Sequence, residues 1–128
     1  MLFVALGAND ALVFHRDPRQ MRDNLARIIE RGRTAGAEVV LAGMQIPLWF
    51  PQDYRQAFAD VFPQLAREYQ LSLVPFLLEG VGGDPAFNLP DGIHPNAQGY
   101  RRVADVVWPV LEPVLRRASP RTRETARP

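Results

Sequence analysis

Residues 2–6 form an unbroken apolar run that stops at Gly7, the pattern of a strand buried on both faces of a parallel sheet. Asp17-Pro18 then supplies a helix cap with proline in the first turn. Met21, Leu25, Ile28 and Ile29 keep one apolar face down to Gly32, and Gly36 is placed to end the helix. A second apolar run covers residues 39–44. Residues 47–51 are a proline-bounded loop holding Leu48, Trp49 and Phe50. A helix is predicted over 53–69, with Tyr54, Phe58, Val61, Phe62 and Leu65 inward, and Pro63 should kink or split it. Residues 71–78 supply a third strand, and a loop rich in glycine and proline fills 79–95. The last helix is predicted over 96–116, with a kink before Pro109 and a buried stripe of Val103, Val106, Val107, Val110, Leu111, Val114 and Leu115.

Strand and helix alternate three times, which predicts an α/β domain with a parallel sheet and right-handed crossovers. No internal repeat or second domain is visible. Ligands in such sheets bind beyond the carboxyl ends of the strands. The loops there are 7–17, 45–53 and 79–95, and they collect Asn9, the Trp49-Phe50 pair and Asp91 with His94.

Composition narrows the classes. At 128 residues the chain fits one domain, which buries roughly two-thirds of its unfolded surface. No apolar run is long enough to span a bilayer, and the first residues lack the basic start and cleavage site of a signal peptide. With no cysteine, disulfides, thiolate catalysis and zinc-thiolate sites are excluded. The net charge of +1 is unevenly spread, −3 over residues 1–115 and +4 over 116–128. The mildly acidic body argues against nucleic acid as a partner, and the arginine-rich, apolar-poor residues 117–128 are expected to be a disordered tail behind a domain of residues 1–116.

Asp91-Gly92-Ile93-His94-Pro95 carries the clearest chemistry. A carboxylate three residues before an imidazole can fix the ring's tautomer and leave its other nitrogen free to move a proton. The plainer alternative is a turn aspartate and a helix-entry histidine. Asn9 can offer its amide to an oxyanion, or simply close an Asx-turn after Gly7. Asp10 is expected to hold that loop by accepting backbone hydrogens. His15 and Asp17 could join His94 and Asp91 around zinc, but no second ligand follows His15 at helical spacing, so no metal is expected. No hydroxyl qualifies as a nucleophile: Ser72 and Thr34 fall at the wrong edge of the sheet and Ser119 in the tail.

Four ordered blocks carry a resemblance: Leu6-Gly7-Ala8-Asn9-Asp10-Ala11-Leu12, Met44-Gln45-Ile46-Pro47, Val74-Pro75-Phe76 and Asp91-Gly92-Ile93-His94-Pro95-Asn96. Together they resemble the SGNH (GDSL-type) hydrolases, most nearly the bacterial thioesterase I and arylesterase group. The resemblance implies a flavodoxin-like α/β/α fold and hydrolysis of a small acyl ester or thioester by a Ser-His-Asp mechanism without metal or cofactor. By position it makes His94 the general base, Asp91 the orienting acid and Asn9 an oxyanion donor, with Leu12, Ile46, Trp49 and Phe50 as candidate substrate contacts. Many members are exported, which suits a periplasmic or secreted parent.

The resemblance also has a gap. Family members start with a strand leading to a Gly-Asp-Ser turn, followed by a block with an oxyanion-hole glycine, and neither is found here. The chain is expected to correspond to the carboxy-terminal two-thirds of an esterase and to lack activity alone. The alternatives are a non-catalytic acyl- or lipid-binding relative and an inactive fragment. A first strand left at a sheet edge without protecting charges also predicts self-association.

Overall fold

The computed structural model describes residues 1–118. Its elements run β1 (Leu2–Val4), α1 (Ala8–Leu12), α2 (Pro18–Thr34), β2 (Val39–Ala42), α3 (Gln52–Tyr69), β3 (Ser72–Val74) and α4 (Ala97–Ala118). The strands form one parallel sheet in the order β1-β2-β3. Leu2 to Val4 lie opposite Val39 to Leu41, and Val40 to Ala42 opposite Ser72 to Val74. The parallel α/β architecture expected from the sequence is the one observed.

Alternation along the strands divides the core into two layers. Val4, Val39 and Leu41 point to one face, where they meet Met21, Leu25 and Ile29 of α2 and Phe58, Phe62 and Leu65 of α3. Phe3, Ala42 and Val74 point to the other face, under Val103, Val107 and Val110 of α4. The first layer is the larger, and each fully buried aliphatic or aromatic side chain contributes about 1.5–3 kcal/mol. Only α4 covers the second layer among the described residues, and β1 is an edge of the sheet.

The elements are shorter or longer than the apolar runs suggest, for identifiable reasons. β1 stops at Val4 because the chain turns at Gly7, leaving Ala5 and Leu6 exposed. β3 stops at Val74 because Pro75 has no N–H for the ladder, so residues 76–78 turn away rather than extend it. β2 stops at Ala42, although the Gly43 N–H still reaches the Val74 carbonyl at 2.7 Å. A Cβ on Gly43 would lie 2.1 Å from the Pro75 carbonyl oxygen, so only glycine fits where these strands part. The five-residue α1 was not expected from the sequence.

Caps fix the helix ends. The Asp17 carboxylate accepts the Arg19 N–H at 2.9 Å, and Pro18 occupies the first turn. Gly36, at φ 78°, closes α2: its N–H reaches the Arg33 carbonyl while that of Ala37 reaches Gly32. Pro63 does not split α3, which runs on to Tyr69 because Phe58, Phe62 and Leu65 are buried on both sides of it. α4 likewise continues through Pro109 and Pro113. It also includes Arg117 and Ala118, with Arg117 bonded to Glu38 at 2.7 Å. The remainder of the expected tail, residues 119–128, lies outside the described residues. No helix among the described residues is long and apolar enough to cross a membrane.

Candidate active site

The loop before α4 is built to hold two side chains. Leu89-Pro90-Asp91-Gly92 is a tight turn, with proline at its second position and the Gly92 N–H on the Leu89 carbonyl at 2.9 Å. Gly92 follows at φ 69°, which glycine adopts without strain. Behind the turn the chain returns on itself: Asn88 bridges Pro95, and the Leu89 N–H donates to the His94 carbonyl at 2.8 Å. Two asparagines anchor this return. Buried Asn88 donates to the carbonyls of Val81 and Asp84 at 2.5 and 2.7 Å. Asn96 caps α4 by accepting the Gly99 N–H at 2.9 Å and donates to the Ala86 carbonyl at 2.9 Å. Gly99 permits the close approach, since a Cβ there would stand 2.1 Å from the Phe87 carbonyl oxygen. Sequence reasoning missed Asn88 and the anchoring role of Asn96. Only the Asn-x-x-Gly spacing ahead of α4 hinted at the cap.

Asp91 and His94 are brought together. Oδ2 of Asp91 lies 2.6 Å from Nδ1 of His94, while Oδ1 accepts the backbone N–H groups of Ile93 at 2.9 Å and His94 at 3.0 Å. Hydrogen bonding to the His94 ring, reinforced by those two N–H donors, lowers the Asp91 carboxyl from its ordinary 3.8 to about 2. The carboxylate is therefore ionised throughout the neutral range and holds Nδ1–H. Nε2 has no partner among the described residues, and the His94 side chain is 66% exposed. Such a bond can orient a histidine for proton transfer.

Asn9 sits at the same edge of the sheet on the α1 turn after β1. Its carbonyl accepts the N–H groups of Val13 and Phe14, and its exposed side-chain amide has no hydrogen-bond partner among the described residues. Gly7 sets this turn at φ 116°, with Met21 Sδ 2.7 Å from where a Cβ would be, so a side chain there is both strained and crowded. The loops of Asn9 and His94 follow β1 and β3, two strand spacings apart across β2, or about 10 Å. Asp10 does not hold the loop as expected. Its carboxylate faces the Arg16 guanidinium at 3.9 Å, and the loop is held instead by backbone bonds, the Arg16 N–H on the Asp10 carbonyl among them.

The remaining candidates divide. Leu12 ends α1 half-buried, and Ile46 is buried in the larger core layer. Ile46 also lines a polar depression of about 310 Å³ with Gln45, Gln52, Arg55 and Gln56. A second depression of about 270 Å³ lies beside Asn9, between residues 5–10 and Met21, Asn24, Leu25 and Ile28 of α2. Phe50 stacks on Tyr54 and touches His15, with ring centroids 5.8 Å apart in each case, and Trp49 stands exposed beside it. His15 and Asp17 are engaged in this ring contact and in the α2 cap. Ser72 opens β3 and Thr34 ends α2, both at the opposite edge of the sheet.

The geometry is that of an acid–base pair and a free amide on separate loops beyond the carboxyl edge of a parallel sheet, and known proteins match most of the chain. The family model described as GDSL-like lipase/acylhydrolase matches residues 1–102. The chain belongs to this family. It is 39% identical over 115 residues to the esterase TesA of Pseudomonas aeruginosa, covering 90% of this chain and 57% of that protein. Identity is 33% over 114 residues to thioesterase 1/protease 1/lysophospholipase L1 of Escherichia coli K12, covering 89% and 54%. The chain thus spans little more than half of these relatives. A crystal structure of TesA superposes with a TM-score of 0.84 at 38% identity, covering 89% of this chain and 63% of that one. The SGNH-hydrolase family esterase AlinE4 superposes at 0.66 with 32% identity, covering 88% and 59%.

Proposed function

We propose that this chain supplies the acid–base machinery and one oxyanion donor of an ester or thioester hydrolase. The observation that carries the reading is the 2.6 Å bond from Asp91 to His94 Nδ1, which leaves Nε2 free at the sheet edge that also holds Asn9. The family resemblance implies a serine hydroxyl on a Gly-Asp-Ser turn, which none of residues 1–128 provides, so the nucleophile comes from a block outside this sequence.

In the reaction, His94 Nε2 takes the serine proton as the oxygen attacks the acyl carbonyl carbon. Asn9 donates to the resulting oxyanion, a contribution of roughly 100-fold or more in rate. The intermediate collapses, and the departing alcohol or thiol takes the proton from His94. Water, deprotonated by the same nitrogen, then attacks the acyl-enzyme; as the carbon–oxygen bond to serine breaks, the serine oxygen takes that proton back from His94 and the carboxylic acid is released. Asp91 stabilises the imidazolium formed in each half. Leu12, Trp49 and Phe50 offer apolar surface for the acyl group, with Ile46 behind them.

The test is hydrolysis of p-nitrophenyl esters. Residues 1–128 alone should give no turnover, and adding the Gly-Asp-Ser block should give turnover that His94→Ala removes. Turnover by the chain alone overturns the reading. One observation favours a second reading, a non-catalytic acyl-binding relative: no serine or threonine among the described residues lies on the carboxyl edge. That alternative requires saturable binding of a fatty acyl ligand with no turnover even when the serine block is supplied.

A further inference from the structure

Two loop tips put unusually bare apolar side chains on one surface. Leu48 is 82% and Trp49 73% exposed, and on the neighbouring loop Val13 and Phe14 are each 60% exposed. The loops are fastened together: the Tyr54 hydroxyl donates to the Arg16 carbonyl at 2.7 Å, and the His15 ring packs on Phe50. Both loops leave the carboxyl edge of the sheet, the edge of Asn9 and His94. The four side chains together offer on the order of 500 Å², against about 800 Å² per partner in a standard protein interface.

Charge around the tips is balanced. The Arg16 guanidinium lies over the Phe14 ring at 5.1 Å and faces Asp10 at 3.9 Å. Arg19 is paired with Asp17 at 2.8 Å, and Asp53 accepts the Tyr54 N–H at 2.8 Å, while Arg55 donates to the Phe50 carbonyl at 3.1 Å. A patch too small for a stable protein interface, led by tryptophan and leucine and nearly neutral at its rim, fits the boundary layer of a phospholipid surface.

We propose that Val13, Phe14, Leu48 and Trp49 seat this chain on a zwitterionic lipid surface, turning the carboxyl edge of the sheet toward it. Seating needs no turnover, so its test stands apart from the hydrolase reading. The chain has two tryptophans, so Trp49 is observed alone in a Trp108→Phe background while phosphatidylcholine vesicles are added. The expected result is a blue shift of Trp49 emission and co-sedimentation with vesicles, unaffected by high salt. Leu48→Asp, at an exposed position, should leave the circular dichroism unchanged and weaken partition by about tenfold or more. Unchanged Trp49 emission overturns the proposal, as does equal sedimentation of Leu48→Asp. Binding only to anionic vesicles, lost in high salt, also overturns it. So does concentration-dependent self-association removed by Leu48→Asp without any binding to vesicles.

Discussion

At the scale of single residues, the pair Asp91 and His94 does the most with the least. Only two residues separate them in sequence, so one tight turn suffices to join them, and the motif is legible without a structure. Oxygen Oδ1 holds two backbone N–H groups and Oδ2 holds the ring, which is why the carboxyl falls to about 2. Its pKa is depressed in the folded state, so its stabilising contribution is complete above the ordinary 3.8 and is lost as pH falls through about 2. Carboxyl-carbon NMR should show Asp91 titrating near the lower value, and a midpoint near the ordinary one would mean the ring bond is absent. In the serine-complemented enzyme, Asp91→Asn should lower kcat by about 10³–10⁴-fold through loss of the correct tautomer. Asn9→Ala should cost about 10²–10³-fold, also in kcat, because the oxyanion exists only after attack. The oxyanion role proposed for Asn9 is harder to read than the pair. An asparagine after a strand is commonly a turn residue, and only its place at the carboxyl edge argues for more.

At the scale of elements, glycines set how closely the site's supports approach. Gly99 lets the first turn of α4 rest against Phe87, and Gly43 lets β2 pass Pro75. Alanine at either position meets a backbone oxygen that cannot yield, so Gly99→Ala and Gly43→Ala should each destabilise by about 1–3 kcal/mol in chemical denaturation. Because α4 holds the His94 loop through Asn96, Gly99→Ala should also reduce activity in the complemented enzyme. Helix and strand order was legible because the apolar periods differ between the two and the caps at Asp17 and Gly36 are explicit. Strand ends were not legible, since Leu6 and residues 76–78 are as apolar as the strands they follow. Their departure from the strands is decided by Gly7 and Pro75, one turning the chain and the other removing a donor. The short α1 was hidden for a similar reason, its five residues being fewer than two helical turns.

At the scale of the whole molecule, the uneven covering of the sheet is the dominant fact. Among the described residues two long helices cover one face, α4 is the one helix over the other, and β1 presents an apolar edge without a charged side chain. Such an edge invites pairing with another strand. Light scattering behind size exclusion should therefore show dimers or larger species, reduced by Leu6→Lys two residues beyond the end of β1, and a concentration-independent monomer would count against edge pairing. A strand and helix bearing the serine would fill the same opening and set the hydroxyl between Asn9 and His94. Labelling with a fluorophosphonate probe tests that placement most directly. Residues 1–128 alone should remain unlabelled, and together with the Gly-Asp-Ser block the serine of that block should label at a rate that His94→Ala abolishes. Labelling of the chain by itself, or labelling of the complemented enzyme indifferent to His94→Ala, contradicts it.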